Sequence, residues 1–113
     1  MQRDIQKYLH DIKESIDSIN DFLGATRDFN SYRSNKLLRR AIERELEIIG
    51  EATNRILKIS PKIEISDSRR IVNLRNWVIH GYDNVDDVII WGIISKDIPK
   101  LENQINKLIE QFY

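Results

Sequence analysis

Residues 34–59 read SNKLLRRAIERELEIIGEATNRILKI, and this stretch decides the fold class. Leu38, Ile42, Leu46, Ile49, Ala52 and Ile56 recur at spacings of four and three, the period that lines up side chains along one stripe of an α-helix. Ser34 stands ahead of them as an N-cap, and Ser60-Pro61 ends them because proline cannot continue the helical hydrogen-bond ladder. A long amphipathic helix over about residues 34–59 is the prediction. Gly50 lies inside it, where glycine costs about 1 kcal/mol relative to alanine, so either a second helix approaches closely there or the glycine is tolerated in a helix stabilised elsewhere.

The same periodicity extends in both directions. Ile5, Leu9, Ile12, Ile16, Ile19 and Leu23 form the stripe of a first helix that stops near Gly24, with Lys7, Asp11, Glu14 and Asp17 on its polar side. A short helical turn fits residues 26–32. Downstream of Pro61 a shorter helix is predicted from about Asp67, with Ile71, Leu74 and Val78 inward and Gly81 as its left-handed stop. Asp83-Asn84 offer caps for a final helix whose apolar residues are Val85, Val88, Ile89, Ile94, Ile98, Leu101, Ile105, Leu108 and Phe112, kinked or split at Pro99. Nothing alternates with period two long enough to require a sheet. The expectation is an all-α, up-and-down bundle of about four long helices plus a short helical turn.

The chain has 113 residues, of which 41% are hydrophobic, enough for one core, and residues 1–113 read as a single domain. Lys and Arg number 18, as do Asp and Glu, so no net charge advertises a polyanionic partner. The distribution is uneven: residues 33–75 hold 11 basic and 6 acidic side chains, a local excess of 5, whereas both ends are acidic. Cysteine is absent, which excludes a disulfide scaffold, a thiolate zinc site and a cysteine nucleophile. With no signal-peptide pattern and no apolar run of membrane-spanning length, the expected location is the cytoplasm. No metal site and no cofactor are expected. His10 has no partner at metal-ligand spacing and reads as a surface residue, and Asp86-Asp87 suit a helix N-terminus.

The chemistry concentrates in Arg75-Asn76-Trp77-Val78-Ile79-His80-Gly81-Tyr82. RNA cleavage without a metal needs one group to take the 2′-hydroxyl proton, another to protonate the leaving oxygen, and a cation for the phosphorane charge. Histidine can do either proton job near neutrality, and arginine offers phosphate a permanently charged fork of donors. Five residues along a regular helix rotate about 500°, leaving the two side chains about 140° apart. A helix that stops at Gly81 would free the imidazole to turn toward Arg75. The spacing is equally compatible with a surface arginine and a histidine that caps a helix against its dipole. Arg39, Arg40, Arg69 and Arg70, in the basic middle, are candidates for RNA backbone contact, although Glu43 and Glu47 beside Arg40 and Arg44 also describe an ordinary solvated face with intrahelical pairs. Trp77 and Trp91, amid aliphatic residues, read as core or interface anchors.

The motif Arg75, four residues, His80, one residue, Tyr82, with polar Asn76 after the arginine, resembles the signature of the HEPN superfamily, specifically the HepT-like toxins of MNT-HEPN toxin-antitoxin modules. Residues 41–53, around Ile49-Gly50-Glu51-Ala52, and the stretch from Trp91 to Leu101 with Asp97-Ile98-Pro99 are similar to further segments of that family. The resemblance implies a homodimer whose paired motifs face one cleft and cut RNA without a metal. It implies His80 as general base or acid, Arg75 on the scissile phosphate and Asn76 orienting one of them. It further implies that a nucleotidyltransferase antitoxin of the MNT type silences the toxin by transferring AMP to Tyr82. The competing expectation is a HEPN module without catalysis that only binds a nucleotidyltransferase partner.

Overall fold

The computed structural model describes residues 2–25, 27–73 and 87–112. Every regular element among them is helical: α1 (Gln2–Leu23), α2 (Phe29–Ser34), α3 (Lys36–Ile59), a 3-10 turn at Ser66–Ser68 that leads into α4 (residues 69–73 of its course are described), α5 (Asp87–Gly92), a π-helical turn at Ile93–Asp97, and α6 (Ile98–Phe112). The all-α bundle expected from the sequence is therefore the fold.

Helix α1 buries the stripe read from its spacing, Ile5, Leu9, Ile12, Ile16, Ile19 and Leu23. It packs chiefly on α3 and also on α6. Its end is set by Gly24, whose φ of +66° is a left-handed stop that a residue with a Cβ rarely adopts, and whose N–H donates to the Asn20 carbonyl at 3.0 Å. From α3 come Ile42, Leu46, Ile49, Ala52 and Ile56, all buried, while Leu38 at its start is only partly covered. Each fully buried aliphatic chain of this kind contributes roughly 1.5–3 kcal/mol relative to exposure. Polar ties pin the helices in register: Lys13 of α1 bonds Glu102 of α6 at 2.9 Å, and Gln104 of α6 accepts from the Asp67 N–H at 3.2 Å.

Boundaries moved where two capping residues compete. Ser34 is the last residue of α2, its hydroxyl turned back to the Asn30 carbonyl at 2.8 Å. The N-cap of α3 is Asn35, whose Oδ1 accepts from Leu38 N–H at 3.0 Å. The short turn expected at 26–32 is α2 instead, begun by Asp28, whose carboxylate accepts from both the N–H and the hydroxyl of Ser31.

Pro99 was expected to kink or split the last helix, and a widened turn is its effect. Ile98 N–H reaches back five residues to the Ile93 carbonyl, the π-type bond that makes room where proline lacks an N–H and crowds the preceding turn. The widening also corrects a phase problem. Ile90, Ile94 and Ile98 follow one another at intervals of four, which in a regular helix would drift about 80° over two turns, yet all three are buried together with Ile93. Val88 and Ile89, expected among the apolar residues of this helix, are 65% and 40% exposed instead, because the core-facing register starts at Ile90.

Gly50 marks the close approach anticipated there. A Cβ at this position would lie 3.5 Å from the Ile71 carbonyl oxygen and 3.7 Å from Val72 Cα, ordinary contact distances with the α4 backbone. Gly50→Ala is accordingly expected to fit and to gain helix propensity of about 1 kcal/mol, raising Tm by roughly 3–8 °C. Gly50→Leu would drive a side chain into α4 and cost about 1–3 kcal/mol. Thermal melts followed by circular dichroism check both signs, and an alanine variant that melts lower than wild type would contradict the geometry.

Candidate functional site

Arg75, Asn76, His80 and Tyr82, together with Trp77, Gly81 and the caps at Asp83-Asn84, lie outside the described residues. The described elements on either side of them are α4, whose last described residue is Asn73, and α5, which opens at Asp87. What the structure provides is the frame on which residues 74–86 are strung.

On the α4 side, Ile71 is buried against α3 at Gly50. A cleft of about 240 Å³ borders this helix, lined by Leu57, Ile63, Ser66, Arg69, Val72 and Asn73 among others. Arg69 is exposed there and has no ion pair among the described residues. Arg70, one residue on, is committed: its Nε donates to Asp97 Oδ2 at 2.8 Å, linking α4 to the π turn.

On the α5 side, Trp91 tilts against Tyr32 with ring centroids 5.4 Å apart and against Phe29 at 6.0 Å, so it anchors α5 on α2. This is the core role expected of it. Tyr32 is fully buried and its hydroxyl has no hydrogen-bond partner among the described residues. Burial pushes the Tyr32 phenol far above the ordinary tyrosine range, and the nearby charges of Glu43 and Asp87 push it further up, while Arg39 opposes them. Tyr32 is thus a neutral phenol at physiological pH. The sequence reading gave Tyr32 no role beyond the end of a short helical turn, and it offered Glu43 as part of a solvated face, whereas Glu43 is buried.

The remaining basic candidates carry internal bonds. Arg39 donates to the Arg33 carbonyl, and Arg40 pairs with Glu43 at 3.1 Å, as Arg44 does with Glu47 at 3.2 Å. The two ion pairs are the intrahelical pairs that the spacing suggested, whereas the Arg39 bond runs from α3 to α2. Arg40 remains 63% exposed at its side chain, and a guanidinium has five N–H donors, so one internal partner leaves others for phosphate. Among the described residues no group of three or more His, Asp or Glu side chains is placed to hold a metal ion, and no helix is long and apolar enough to cross a membrane.

An all-helical bundle, in a chain with a basic middle segment and an Arg-x4-His-x-Tyr motif between residues 75 and 82, is the class of protein that the resemblance to the HEPN superfamily implied. Comparison with known proteins specifies it. The family described as "Ribonuclease HepT-like" matches residues 12–108. The chain is 35% identical over 105 residues to a protein of Methanocaldococcus jannaschii named "Putative RNase", covering 92% of this chain and 95% of that one. It is also 35% identical over 114 residues to the "Probable ribonuclease HepT" of Thermococcus cleftensis, covering 96% of this chain and 98% of that one. No solved structure matches. The chain belongs to the HepT-like ribonuclease family.

Proposed function

We propose that this protein is the toxin of a toxin-antitoxin module of type II/VII-like organisation, a cytoplasmic, homodimeric endoribonuclease that cuts RNA without a metal ion. The observation that carries the reading is the complete Arg75, Asn76, His80, Tyr82 signature within the stretch over which the ribonuclease family matches. One proton-transfer group takes the 2′-hydroxyl proton as that oxygen attacks phosphorus, and a second protonates the departing 5′-oxygen. His80 fills one of these roles, Arg75 neutralises charge on the phosphate oxygens, and Asn76 orients one of the two. Arg39, Arg40 and Arg69, the last without an ion pair among the described residues, contact the RNA backbone, which gives salt-sensitive binding with little sequence preference. A cognate nucleotidyltransferase of the MNT type neutralises the toxin by adenylylating Tyr82.

The direct test is incubation of purified protein with small structured RNAs in EDTA. Cleavage products that persist with all divalent metal chelated are expected. A protein that binds its nucleotidyltransferase partner yet cuts nothing at any dose would instead be a HEPN binding module without catalysis.

A further inference from the structure

Two features that disturb a regular helix, a π turn and a glycine, converge with an ion pair on the Arg70 side chain. The π turn at Ile93–Asp97 inserts a widened turn ahead of Pro99. Asp97, its last residue, is mostly buried at its side chain and accepts from Arg70 Nε at 2.8 Å, across 27 residues of sequence. Gly92, immediately before the turn, has no side chain where one would sit: a Cβ there would lie 3.2 Å from Arg70 Nη2. Glycine and a π turn both weaken a helix locally, and here both serve to let the Arg70 guanidinium lie against α5 while Asp97 holds its Nε. The bond joins α4, which leads by sequence into Arg75 five residues after Arg70, to the helix that leads out of the motif segment.

We propose that Arg70 and Asp97 are positioning residues for RNA cleavage, a clamp that sets the two flanks of the motif segment relative to each other, and that Arg70 is not an RNA backbone contact. The inference rests on the ribonuclease reading above. It replaces the RNA-contact role expected of Arg70 because, unlike Arg40, whose partner is one turn away on its own helix, Arg70 is tied to a residue 27 positions on and lies against Gly92. A clamp of this kind acts on the geometry of the reacting groups, where displacement of about 1 Å costs on the order of 100-fold in rate. Substrate binding, carried by other cations, is left nearly unchanged.

Asp97→Asn separates the two roles. If Arg70 gripped phosphate, releasing it from Asp97 would leave cleavage intact or tighten binding, and Arg70→Ala would raise KM in a salt-dependent way. The clamp predicts that Asp97→Asn and Arg70→Ala each lower kcat about tenfold or more with KM changed less than about twofold, and that Arg70→Asp combined with Asp97→Arg recovers most of the loss. An undiminished kcat in Asp97→Asn overturns the proposal, as does a variant whose Tm falls while the kcat of the folded protein stays at the wild-type value. Should the wild-type protein cut no RNA, the ribonuclease reading fails on its own. The clamp is then judged by NMR of the histidine rings, with exposed His10 on α1 as internal reference: His80 ring signals that shift in Asp97→Asn support it, and unmoved signals overturn it.

Discussion

Replacing His80 with alanine is expected to lower RNA cleavage by about 10²–10⁴-fold, the range that a positioned general acid or base contributes, while the protein remains folded. The second half of this expectation follows from where the core lies. Among the described residues the core is drawn from α1, α2, α3, Ile65, the start of α4 and the run from Ile90 to Leu108, a set of aliphatic chains extensive enough to carry a cooperative fold. A single-turnover assay in EDTA with matched circular dichroism melts reads both. Loss of cleavage together with loss of the cooperative melt would remove the catalytic assignment, since the effect would then be structural. Retained cleavage would remove it outright.

For the proposed homodimeric ribonuclease, the same variant addresses how one motif histidine per chain would serve a reaction with two proton transfers. If His80 of each protomer supplies one transfer to a shared cleft, a heterodimer of wild-type and His80→Ala subunits has no complete site and falls far below half of normal activity. Self-contained sites would leave half or more. Differently tagged subunits, co-expressed and purified through both tags, allow the comparison.

How far the sequence carried these conclusions differs from element to element, for physical reasons. The α1 and α3 stripes were legible because burial follows a three-and-four spacing with no competing signal, and Gly24 and Gly50 were legible because a glycine in or after a helix has few uses other than a left-handed stop or a close contact. The start of α3 was misplaced by one residue because Ser34 and Asn35 are both capping residues, and it takes the bonds they make, Ser34 hydroxyl to the Asn30 carbonyl and Leu38 N–H to Asn35 Oδ1, to show which one caps. Pro99 announced an interruption, but whether proline breaks, kinks or widens a helix depends on what the next turns must bury. Here Ile90, Ile94 and Ile98 required a widened turn. The Arg70–Asp97 clamp was illegible for a different reason: an ion pair between residues 27 apart has no local signature, so Arg70 looked like any other cation in a basic stretch. Arg75, His80 and Tyr82 were recognised as a spacing and a family signature, and they lie outside the described residues.

Under the proposed toxin function, incubation of the protein with an MNT-type nucleotidyltransferase and ATP is expected to add the mass of one or more adenylyl groups to the wild-type chain and none to Tyr82→Phe. The argument is electrostatic and steric. A phosphodiester on the Tyr82 oxygen places an anion two residues from His80 in sequence, where it competes with the RNA phosphate for the Arg75 guanidinium through the same charge-assisted hydrogen bonds, and the adenosine fills volume that the substrate strand needs. Modification should therefore abolish cleavage rather than weaken it. The phenol itself is not required for proton transfer if His80 supplies it, so unmodified Tyr82→Phe should keep most of its ribonuclease activity and become resistant to silencing. The four tyrosines of the chain make the control decisive. Tyr32 is fully buried, beyond the reach of any transferase while the protein is folded, whereas Tyr8 is partly exposed, Tyr82 and Tyr113 lie outside the described residues, and of the four Tyr82 alone belongs to the motif. Intact-mass analysis followed by peptide mapping distinguishes them, and an adenylyl group that persists in Tyr82→Phe would move the off switch to another residue and leave the inhibition unexplained by competition at Arg75.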